Sequence, residues 1–241
     1  MPQVSLVIPA HDEEGNIAAL VEEALAVIPP EMLAEVIVVD DASRDGTAAE
    51  VAALAAREPR VRLIRHDRNA GQSAAVRTGV AAARSAVVAT IDGDGQNPPG
   101  DIPRLVAAWS AAGPQLVGGH RVKRRDSWSK RIASRLANRI RQAMLRDDCP
   151  DTGCGLKVFD RDRHLALPFF HGQHRYLPAL FRAYGATAVF LPVDHRPRAH
   201  GRSKYTNWKR GLQGVPDLMG VAWLIRRARP VIAQEDRIQD V

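Results

Sequence analysis

Cysteine and aromatic residues are scarce in this chain, and each scarcity argues against a class of protein. Only two cysteines, Cys149 and Cys154, occur in 241 residues. One pair in a chain of this length is no disulfide scaffold, and its spacing fits no zinc site. We therefore expect reduced thiols, as in a cytosolic protein. Aromatic side chains make up 5% of the residues. Because no nucleic-acid-binding motif accompanies them, we expect no nucleic acid among the partners.

Long apolar runs and targeting signals are also missing. No run approaches the length of about 18 uncharged apolar residues that a membrane-spanning helix needs, so we expect no such helix. The first residues, Met1 to Val4, lack a basic n-region, and acidic residues follow at 12–14. That acidic run comes too early for a signal peptide. These absences lead us to expect a protein that works in the cytoplasm.

Two common phosphate-binding fingerprints are absent as well. The chain has no Gly-x-Gly-x-x-Gly after its first apolar segment and no Gly-x-x-x-x-Gly-Lys-Ser/Thr, so a classical dinucleotide site or P-loop is not expected. It also lacks the Gly-rich loop of sugar-phosphate nucleotidyltransferases. The net charge is nonetheless +7. Such an excess favours phosphate-rich partners, including nucleotides and anionic membrane surfaces.

The first half of the chain alternates between two hydrophobic periods. Apolar runs typical of buried strands are separated by stretches with helical spacing. The predicted order is strand 4–8, helix 17–28, strand 36–39, a helix from Thr47 to about 58, strand 61–64, helix 74–84, strand 87–91, and a further strand at 116–119. Thr47 and Glu50 have capping-box spacing. This order predicts an α/β fold, Rossmann-like, with a mostly parallel sheet and helices on both faces.

The segment Asp92-Gly93-Asp94 directly follows the strand at 87–91. Ligands of open α/β sheets bind at the carboxyl ends of the strands. Two carboxylates with one glycine between them suit a hard divalent cation such as Mg²⁺, which shares its oxygen ligands with substrate phosphates. The amide of Gln96 adds a further oxygen. Taken alone, an Asp-x-Asp pair is more often a solvated turn.

The ends of the first two strands are polar instead of glycine-rich. The first ends in Pro9-Ala10-His11 and the second in Asp40-Asp41. A carboxylate at such a strand end is suited to hydrogen-bond ribose hydroxyls or the donor edge of a base. The alternative is that one carboxylate of the pair caps the following turn. His11, judged alone, reads as a loop histidine.

Six segments together resemble the glycosyltransferases of family two, which have the GT-A fold. Four of them are residues 7–16, 38–47, 68–71 with Gly79, and 92–96. Residues 151–157 and 198–204 narrow the resemblance to the branch that includes dolichyl-phosphate mannosyltransferase and other polyprenyl-phosphate sugar transferases. It covers about residues 3–210, and we expect a catalytic domain at 1–206 followed by an amphipathic helix and tail at 207–241.

The resemblance implies a role for each matching residue. The nucleotide of a GDP- or UDP-sugar would lie against Pro9, His11, Glu13, Val38 and Asp40, with His11 standing where many members have Tyr or Phe. Asp92, Gly93 and Asp94 would face the diphosphate. Asp92, Asp94 and Gln96 would hold Mg²⁺ or Mn²⁺. Arg121 matches the arginine at the sugar and phosphate site, and Arg198 and Lys204 match a late loop that clamps the diphosphate. Asp92, Asp94, Arg121, Arg198 and Lys204 are the expected catalytic set.

The implied reaction transfers a hexose of the mannose or glucose class, with inversion, to a dolichyl- or undecaprenyl-type polyprenyl phosphate. An ionised phosphate needs no general base. The alternative is a family member with a carbohydrate hydroxyl acceptor in cell-envelope polysaccharide synthesis. That enzyme needs a catalytic carboxylate, and Asp151 is the candidate.

Residues 121–146 are dense in Arg and Lys and contain an apolar stripe at every fourth position. The stripe consists of Trp128, Ile132, Leu136, Ile140 and Met144. It indicates either an amphipathic helix on an anionic membrane or a surface helix packed on the sheet. The implied lipid acceptor favours the membrane, with Lys130 or Arg131 meeting the lipid phosphate. The stretch from Trp208 to Arg229 has the same character. We expect peripheral association with the cytoplasmic face of the membrane or docking to an integral-membrane partner.

Overall fold

Four apolar strands from the first half of the chain form one side of the sheet. In the computed structural model, which describes residues 2–121, 139–198 and 207–228, these strands are β1 (Val4–Ala10), β2 (Leu33–Asp40), β3 (Val61–Arg65) and β4 (Val87–Thr90). They pair in parallel in the order β3-β2-β1-β4. The connecting helices are α1 (Ile17–Val27), α2 (Thr47–Arg57) and α3 (Gln72–Ala82). The strand order reverses at β1, so the gap between the ends of β1 and β4 is a topological switch point.

The second half completes a sheet of seven strands within the described residues. It adds β5 (Pro114–Arg121), β6 (Lys157–Asp160) and β7 (Thr187–Val193) in the order β4-β6-β5-β7. β6 runs antiparallel to both of its neighbours, whereas β5 and β7 are parallel to each other. The sheet is therefore mostly parallel, and the strand predicted at 116–119 lies within β5. Because β6 is reversed, the loop before it reaches the same edge as the carboxyl ends of the other strands.

Helices cover both faces of the sheet, as predicted. α1, α2 and α4 (Ile102–Ala108) pack on one face, and α3 packs on the other with α6 (Arg161–Ala166), α7 (Leu177–Ala183) and α8 (Asn207–Arg227). A further helix, α5, is described over residues 139–145. The strands supply fully buried side chains to both layers, such as Ile8 on one face and Val7 on the other. Each such side chain stabilises the fold by about 1.5–3 kcal/mol relative to an exposed one.

Gly79 lets α3 approach the sheet closely. A Cβ at this position would lie 2.4 Å from Cγ1 of Val7 and 3.2 Å from Cγ2 of Val39. Such distances are far shorter than van der Waals contact, so any side chain would push the helix away from β1. Gly71 immediately precedes the helix as its N-cap residue, and its φ of 86° is a positive value that glycine adopts without strain. Close packing therefore accounts for Gly79, and backbone conformation accounts for Gly71, which are two glycines of the resemblance.

The predicted capping box at Thr47 and Glu50 is wrong. No side-chain cap is present at the start of α2. Thr47 Oγ1 instead accepts a hydrogen bond from the backbone N–H of Glu13 at 2.7 Å, and Glu50 Oε1 accepts one from Gly15 at 2.8 Å. The two side chains thus hold the loop after β1 against α2. The spacing is correct for a cap, but long-range backbone donors compete successfully for both acceptors.

α8 has two unlike sides. Val221 and Ala222 are buried against the core, and Tyr176 donates a hydrogen bond from its hydroxyl to the carbonyl of Gly214 at 3.4 Å. The opposite side exposes Val215, Met219 and Trp223 by 58%, 63% and 59%. The helix therefore packs on the domain and still presents an apolar stripe at every fourth residue, and association of that stripe with a membrane stays a prediction. No helix within the described residues is long and apolar enough to cross a bilayer.

The basic segment is described only at its carboxyl end. Trp128, Lys130, Arg131, Ile132 and Leu136 lie outside the described residues, whereas Ile140 and Met144 are 51% and 36% exposed. Arg141 departs from the expectation of a surface cation. It is buried, forms an ion pair with Asp147, and donates from Nη2 to the carbonyl of Cys149 at 2.8 Å. This arginine therefore holds the turn at 147–149 and is not available to a membrane.

Candidate active site at the carboxyl edge of the sheet

A cleft of about 250 Å³ opens at the switch point between β1 and β4. It collects most of the site residues predicted from the sequence. Nine of them line it: Pro9, His11, Glu13, Asp92, Gly93, Asp94, Gln96, Arg121 and Arg198. Val38 and Asp40 are fully buried and do not line the cleft. Lys204, Lys130 and Arg131 lie outside the described residues. The fold therefore brings residues from both halves of the chain to one edge.

Asp92 and Asp94 follow the end of β4 and occupy different surroundings. Asp92 accepts a hydrogen bond from the amide of Gln72 at 2.7 Å. Gly155 packs directly against its carboxylate, because a Cβ there would lie 2.3 Å from Oδ1. Asp94 accepts from the backbone N–H of Gln96 at 3.1 Å. Burial, and then the negative charge of Asp94, raise the pKa of Asp92 to about 6. The two carboxylates therefore repel each other, and a cation between them would relieve that repulsion.

Gly93 allows the Asp92–Asp94 turn to lie close to β1. A Cβ on Gly93 would stand 3.0 Å from the carbonyl oxygen of Pro9. The nearest neighbour of a side chain at this position would therefore be the chain itself. Pro9 is accommodated because β4 pairs with β1 only from Val4 to Val7, so the missing N–H interrupts no bond with β4.

Asp41 is a cleft residue whose role the sequence left open. Its carboxylate accepts hydrogen bonds from the backbone N–H groups of Ala70 at 2.8 Å and Gly71 at 2.7 Å. The ring of His66 lies 2.7 Å from the same carboxylate, and His11 Nδ1 lies 2.9 Å from its backbone carbonyl. Asp41 thereby fixes the loop at 69–71 that walls the cleft. The neighbouring Asp40 accepts from Ser43 N at 3.1 Å, as expected for a turn cap.

Arg121 and Asp151 form a bidentate pair on the other side of the cleft. Nε of Arg121 lies 2.7 Å from Oδ2 and Nη2 lies 2.9 Å from Oδ1. Burial opposes the charge of the arginine, but the hydrogen bonds and charge of Asp151 outweigh it and raise the pKa of Arg121. The pair fixes the guanidinium beside Asp92, whose charge also acts on it. In the same pair, both carboxylate oxygens of Asp151 accept hydrogen bonds from Arg121.

The segment at 194–198 crosses the Asp92–Gln96 turn and supplies two arginines. Arg198 donates from Nη2 to Glu13 at 2.9 Å and to Asp94 at 3.3 Å. Arg196, which the sequence reasoning missed, donates from Nε to the carbonyl of Gly95 at 2.6 Å and pairs with Glu23. Its only sequence signal is its position two residues before Arg198. The segment therefore ties the turn to the loop after β1 and to α1.

The residues of the cleft fit a divalent cation that is shared with a ligand. Among the residues that the structure describes, no group of three or more His, Cys, Asp or Glu side chains could hold an ion by itself. Asp92 and Asp94 supply two carboxylates, and Gln96 lines the same cleft. Mg²⁺ characteristically takes one or two carboxylates and completes its shell with substrate phosphates and water. The donor set therefore matches the predicted metal.

Both cysteines are buried thiols without a disulfide. Burial raises the pKa of Cys149 to about 11 and also raises that of Cys154. Neither is a thiolate near neutral pH, so neither is poised as a nucleophile.

Comparison with known proteins gives consistent results at the levels of family and fold. A model of glycosyl transferase family 2 matches residues 5–165. An undecaprenyl-phosphate 4-deoxy-4-formamido-L-arabinose transferase of Edwardsiella ictaluri is 36% identical over 219 residues, which are 90% of this chain and 65% of that protein. The enzyme of the same name from Aeromonas hydrophila is 36% identical over 218 residues, with the same coverage. The chain thus spans less than two thirds of the length of these relatives.

Solved structures with the same fold come from a more distant enzyme. Glucosyl-3-phosphoglycerate synthase from Mycobacterium tuberculosis, in complex with Mn²⁺, UDP and phosphoglyceric acid, superposes with a TM-score of 0.69 at 22% identity. The match covers 92% of this chain and 78% of that one. The complex of that enzyme with Mg²⁺ and UDP gives a TM-score of 0.63 at 22% identity, covering 82% and 72%. At this identity the likeness establishes the GT-A-like fold alone.

Proposed function

This chain belongs to glycosyl transferase family 2, and from that premise we propose that it transfers a sugar from a nucleotide-sugar donor to a polyprenyl phosphate. One observation carries the proposal. Two carboxylates, Asp92 and Asp94, and two arginines, Arg121 and Arg198, line a single cleft at the topological switch point of the sheet. Carboxylates that share a cation, together with guanidinium groups, are what a leaving nucleoside diphosphate requires.

The donor is a GDP- or UDP-sugar in this proposal. We propose that His11 and Glu13, which line the cleft beside Asp41, lie against the base and ribose. We propose a sugar of the hexose class, mannose or glucose, from the resemblance. The names of the relatives in Edwardsiella and Aeromonas add a formamido-arabinose to the candidates. The fold neighbours were crystallised with UDP, which supports a uridine donor in the assay.

Asp92, Asp94 and Gln96 are proposed to hold Mg²⁺ or Mn²⁺ together with the diphosphate. When bound, the ion would neutralise charge on the departing diphosphate without any proton transfer. Both ions occur in crystals of the fold neighbours. Arg198 pairs with Asp94 and Glu13. We propose that the diphosphate competes for this guanidinium when the donor binds, and that Lys204 assists from the same loop.

The proposed reaction is a single displacement at the anomeric carbon. An ionised oxygen of the lipid phosphate forms the new bond to carbon. The bond between that carbon and the diphosphate oxygen breaks, and the electron pair leaves with the nucleoside diphosphate. The configuration inverts and no proton is released from the acceptor. The protein therefore has to bring two anions together and needs cations more than it needs a base.

The state of Asp151 supports a phosphate acceptor over a carbohydrate hydroxyl. A hydroxyl acceptor requires a carboxylate that can take its proton. Asp151 was the candidate for that role, but both of its oxygens accept hydrogen bonds from Arg121, at 2.7 Å and 2.9 Å. A carboxylate held in a bidentate pair is a weak base, because the guanidinium stabilises its charged form. We therefore assign Asp151 to positioning Arg121.

We propose that the protein works at the cytoplasmic face of a membrane, because its acceptor is a lipid. The apolar side of α8, made of Val215, Met219 and Trp223, is exposed. Arg227 lies over the Trp223 ring, with the guanidinium carbon 5.3 Å from the ring centroid. A half-exposed tryptophan with arginine beside it is typical of a helix that lies in a membrane interface. An integral-membrane partner could occupy the same stripe.

A transfer assay tests the proposal. The purified protein is incubated with Mn²⁺ or Mg²⁺, undecaprenyl phosphate in detergent, and a panel of UDP- and GDP-sugars that includes glucose, mannose and formamido-arabinose donors. Release of the nucleoside diphosphate and formation of the glycosyl lipid are both measured. We expect one donor to give a lipid-linked product only when metal is present. Transfer to an oligosaccharide hydroxyl, with none to the lipid phosphate, would overturn the proposal.

A further inference from the structure

A second, smaller cavity adjoins the cleft on its inner side. It has a volume of about 60 Å³ and is lined by residues from β4, the loop before β6, the start of α3 and the turn before α7. Pro9, Gln72, Asp92 and Gly153 line both spaces, so the cavity and the cleft meet at Asp92. A cavity of this size has room for several waters or for one tetrahedral anionic group.

Two cationic side chains line the inner cavity. Lys157 is 5% exposed, and its ammonium donates to the backbone carbonyl of Cys154. No carboxylate of the described residues lies within ion-pair distance of it, although its charge acts on Asp92. The side chain of Arg175 makes no hydrogen bond or ion pair with another residue in the described ranges. A buried ammonium that leaves two of its three protons unused favours an anion nearby.

The turn that carries Arg175 is held rigidly. Ser73 Oγ accepts hydrogen bonds from the backbone N–H of Gly172 at 3.1 Å and of His174 at 3.3 Å, and it lies 2.7 Å from Nδ1 of His174. Ser73 is itself in the first turn of α3, whose amino end meets the cavity at Gln72. The helix terminus and both cations therefore converge on one small space.

The same turn connects the cavity to α8. Tyr176 follows Arg175 and donates a hydrogen bond to the carbonyl of Gly214 in α8. One residue further along that helix begins the exposed stripe of Val215, Met219 and Trp223. The turn that carries Arg175 therefore contacts the packed side of α8, and the apolar stripe lies on the opposite side of that helix.

We propose that the inner cavity binds the phosphate monoester of the lipid acceptor, with Lys157 and Arg175 as its cationic ligands in place of Lys130 or Arg131, which the resemblance implies. The inference rests on the proposed function and adds the location of the acceptor. The donor occupies the outer cleft, the acceptor phosphate occupies the inner cavity, and Asp92 lies where the two meet. The cations offset the repulsion between an incoming phosphate and the Asp92 carboxylate. Neither residue is part of the donor site.

Binding of a short prenyl phosphate tests this location without requiring turnover. Geranyl phosphate, geraniol and inorganic phosphate are each titrated into the full chain and into Arg175→Gln, Arg175→Lys and Arg163→Gln. Arg163 is an exposed residue of α6, which begins beside the amino end of β4, and serves as the matched control. UDP and GDP with Mn²⁺ are titrated into the same proteins. Thermal unfolding shows whether each variant is folded.

We expect Arg175→Gln to weaken geranyl phosphate binding by about 10- to 100-fold, the loss typical of one charge-assisted hydrogen bond. Arg175→Lys should lose less, Arg163→Gln should bind like the wild type, and nucleotide affinity should not change. Inorganic phosphate should bind more weakly than geranyl phosphate. Geraniol should bind least.

Four results would overturn the inference. Unchanged binding of geranyl phosphate by Arg175→Gln places the acceptor elsewhere and leaves the proposed function intact. An equal loss of nucleotide affinity assigns the cavity to the donor. Equal affinity for inorganic and geranyl phosphate makes it a site for free anions. A wild-type protein that binds nucleotide but no prenyl phosphate overturns the proposed acceptor and its location together.

Discussion

Two carboxylate groups lie at opposite ends of the same sheet and differ in what satisfies them. Glu35, near the start of β2, has a side chain that is 1% exposed and accepts hydrogen bonds from Ser5 Oγ at 2.8 Å, Arg84 N at 2.7 Å and Arg62 Nη1 at 2.6 Å. Asp92, at the end of β4, accepts one side-chain hydrogen bond within the described residues, from Gln72, and has a like charge beside it in Asp94. The chain supplies the partners of the first carboxylate, and we propose that a ligand supplies those of the second.

The pKa values of the two groups move in opposite directions for this reason. Burial alone would raise the pKa of Glu35, but its bonds to Arg62, Arg84 and Ser5 lower it. Burial and Asp94 raise that of Asp92 to about 6. A lowered value marks a carboxylate that stabilises the fold in its charged form, and a raised one marks a charge that costs the fold stability. The carboxylate of Glu35 is thus structural, and we propose that the carboxylate of Asp92 serves function at the other edge.

The largest effect should come from Asp94→Ala. Removing this side chain takes away one of the two carboxylates proposed to bind the cation, and we expect transfer to fall by about 10³-fold or more while the protein stays folded. The transfer assay with undecaprenyl phosphate and circular dichroism measure the two effects. Asp162→Ala, at an exposed aspartate of α6, is the matched control. Turnover that survives both the variant and metal chelation would remove the metal from the mechanism.

Glu35→Gln should act on stability in place of activity. The amide cannot accept three hydrogen bonds and leaves Arg62 without its charge partner, so we expect a loss of about 3 kcal/mol in the free energy of unfolding. The melting temperature should fall by about 6–12 °C, while the turnover number well below that temperature stays close to wild type. Glu31→Gln, an exposed position before β2, should change neither quantity. A Glu35→Gln protein that unfolds like the wild type but loses turnover would contradict the assignment of Glu35 to stability.

Arg198→Gln should reduce the maximal rate more than it weakens donor binding. The guanidinium contacts Glu13 and Asp94, and its charge matters most as the diphosphate leaves. We expect kcat to fall by about 10- to 100-fold and KM for the donor to change less. Steady-state kinetics with the donor found by the panel separates the two quantities, with Arg163→Gln as control. Full rate at saturating donor would make Arg198 a binding residue only.

The smallest effect is the pH dependence of stability, and it should have opposite signs at the two edges. Asp92 has a higher pKa in the folded protein, about 6 against 3.8, so its contribution grows as pH falls from above 6 towards 3.8. Glu35 has a lowered pKa, so its contribution is present above 4.5 and is lost as pH falls below it.

Urea unfolding without ligand at pH 7, 5 and 4 measures both contributions. The wild type should gain about 1 kcal/mol in the free energy of unfolding from Asp92 between pH 7 and 5, and Asp92→Asn should remove that gain. Glu35→Gln should reduce the loss in the free energy of unfolding that the wild type shows at lower pH. A wild-type stability that falls steadily from pH 7 would contradict the expectation for Asp92.

The sequence predicted the parallel half of the fold and the centre of the site. Strands 4–8, 36–39 and 87–91 are apolar runs, and the residues that follow each run lie at the same edge by topology. Asp92 and Asp94 could therefore be assigned to that edge from local patterns. Pro9, His11, Glu13 and Gly93 were assigned to the site through the resemblance.

The other parts of the fold and the site depend on long-range pairing, which local sequence patterns do not indicate. β6 is short and reversed, so nothing in its local pattern indicates that it inserts between β4 and β5 and delivers Lys157 beside Asp92. Asp41 and Thr47 form their bonds with residues some 30 positions away, and in isolation both resemble caps. Arg196 and Arg141 look like ordinary surface arginines until the fold shows their partners. Local spacing limits which bonds are available, and the competing long-range donors decide which ones form.

Thermal unfolding of the wild type and Asp92→Asn, with and without Mn²⁺ plus UDP or GDP, tests the central claim most directly. If the Asp92 charge is kept for a ligand at the expense of the fold, the variant should melt at a higher temperature than the wild type in the absence of ligand. Addition of the metal and nucleotide should then raise the melting temperature of the wild type well above that of the variant, reversing their order. A variant that melts lower without ligand, or that gains as much from the ligands as the wild type does, would contradict the account.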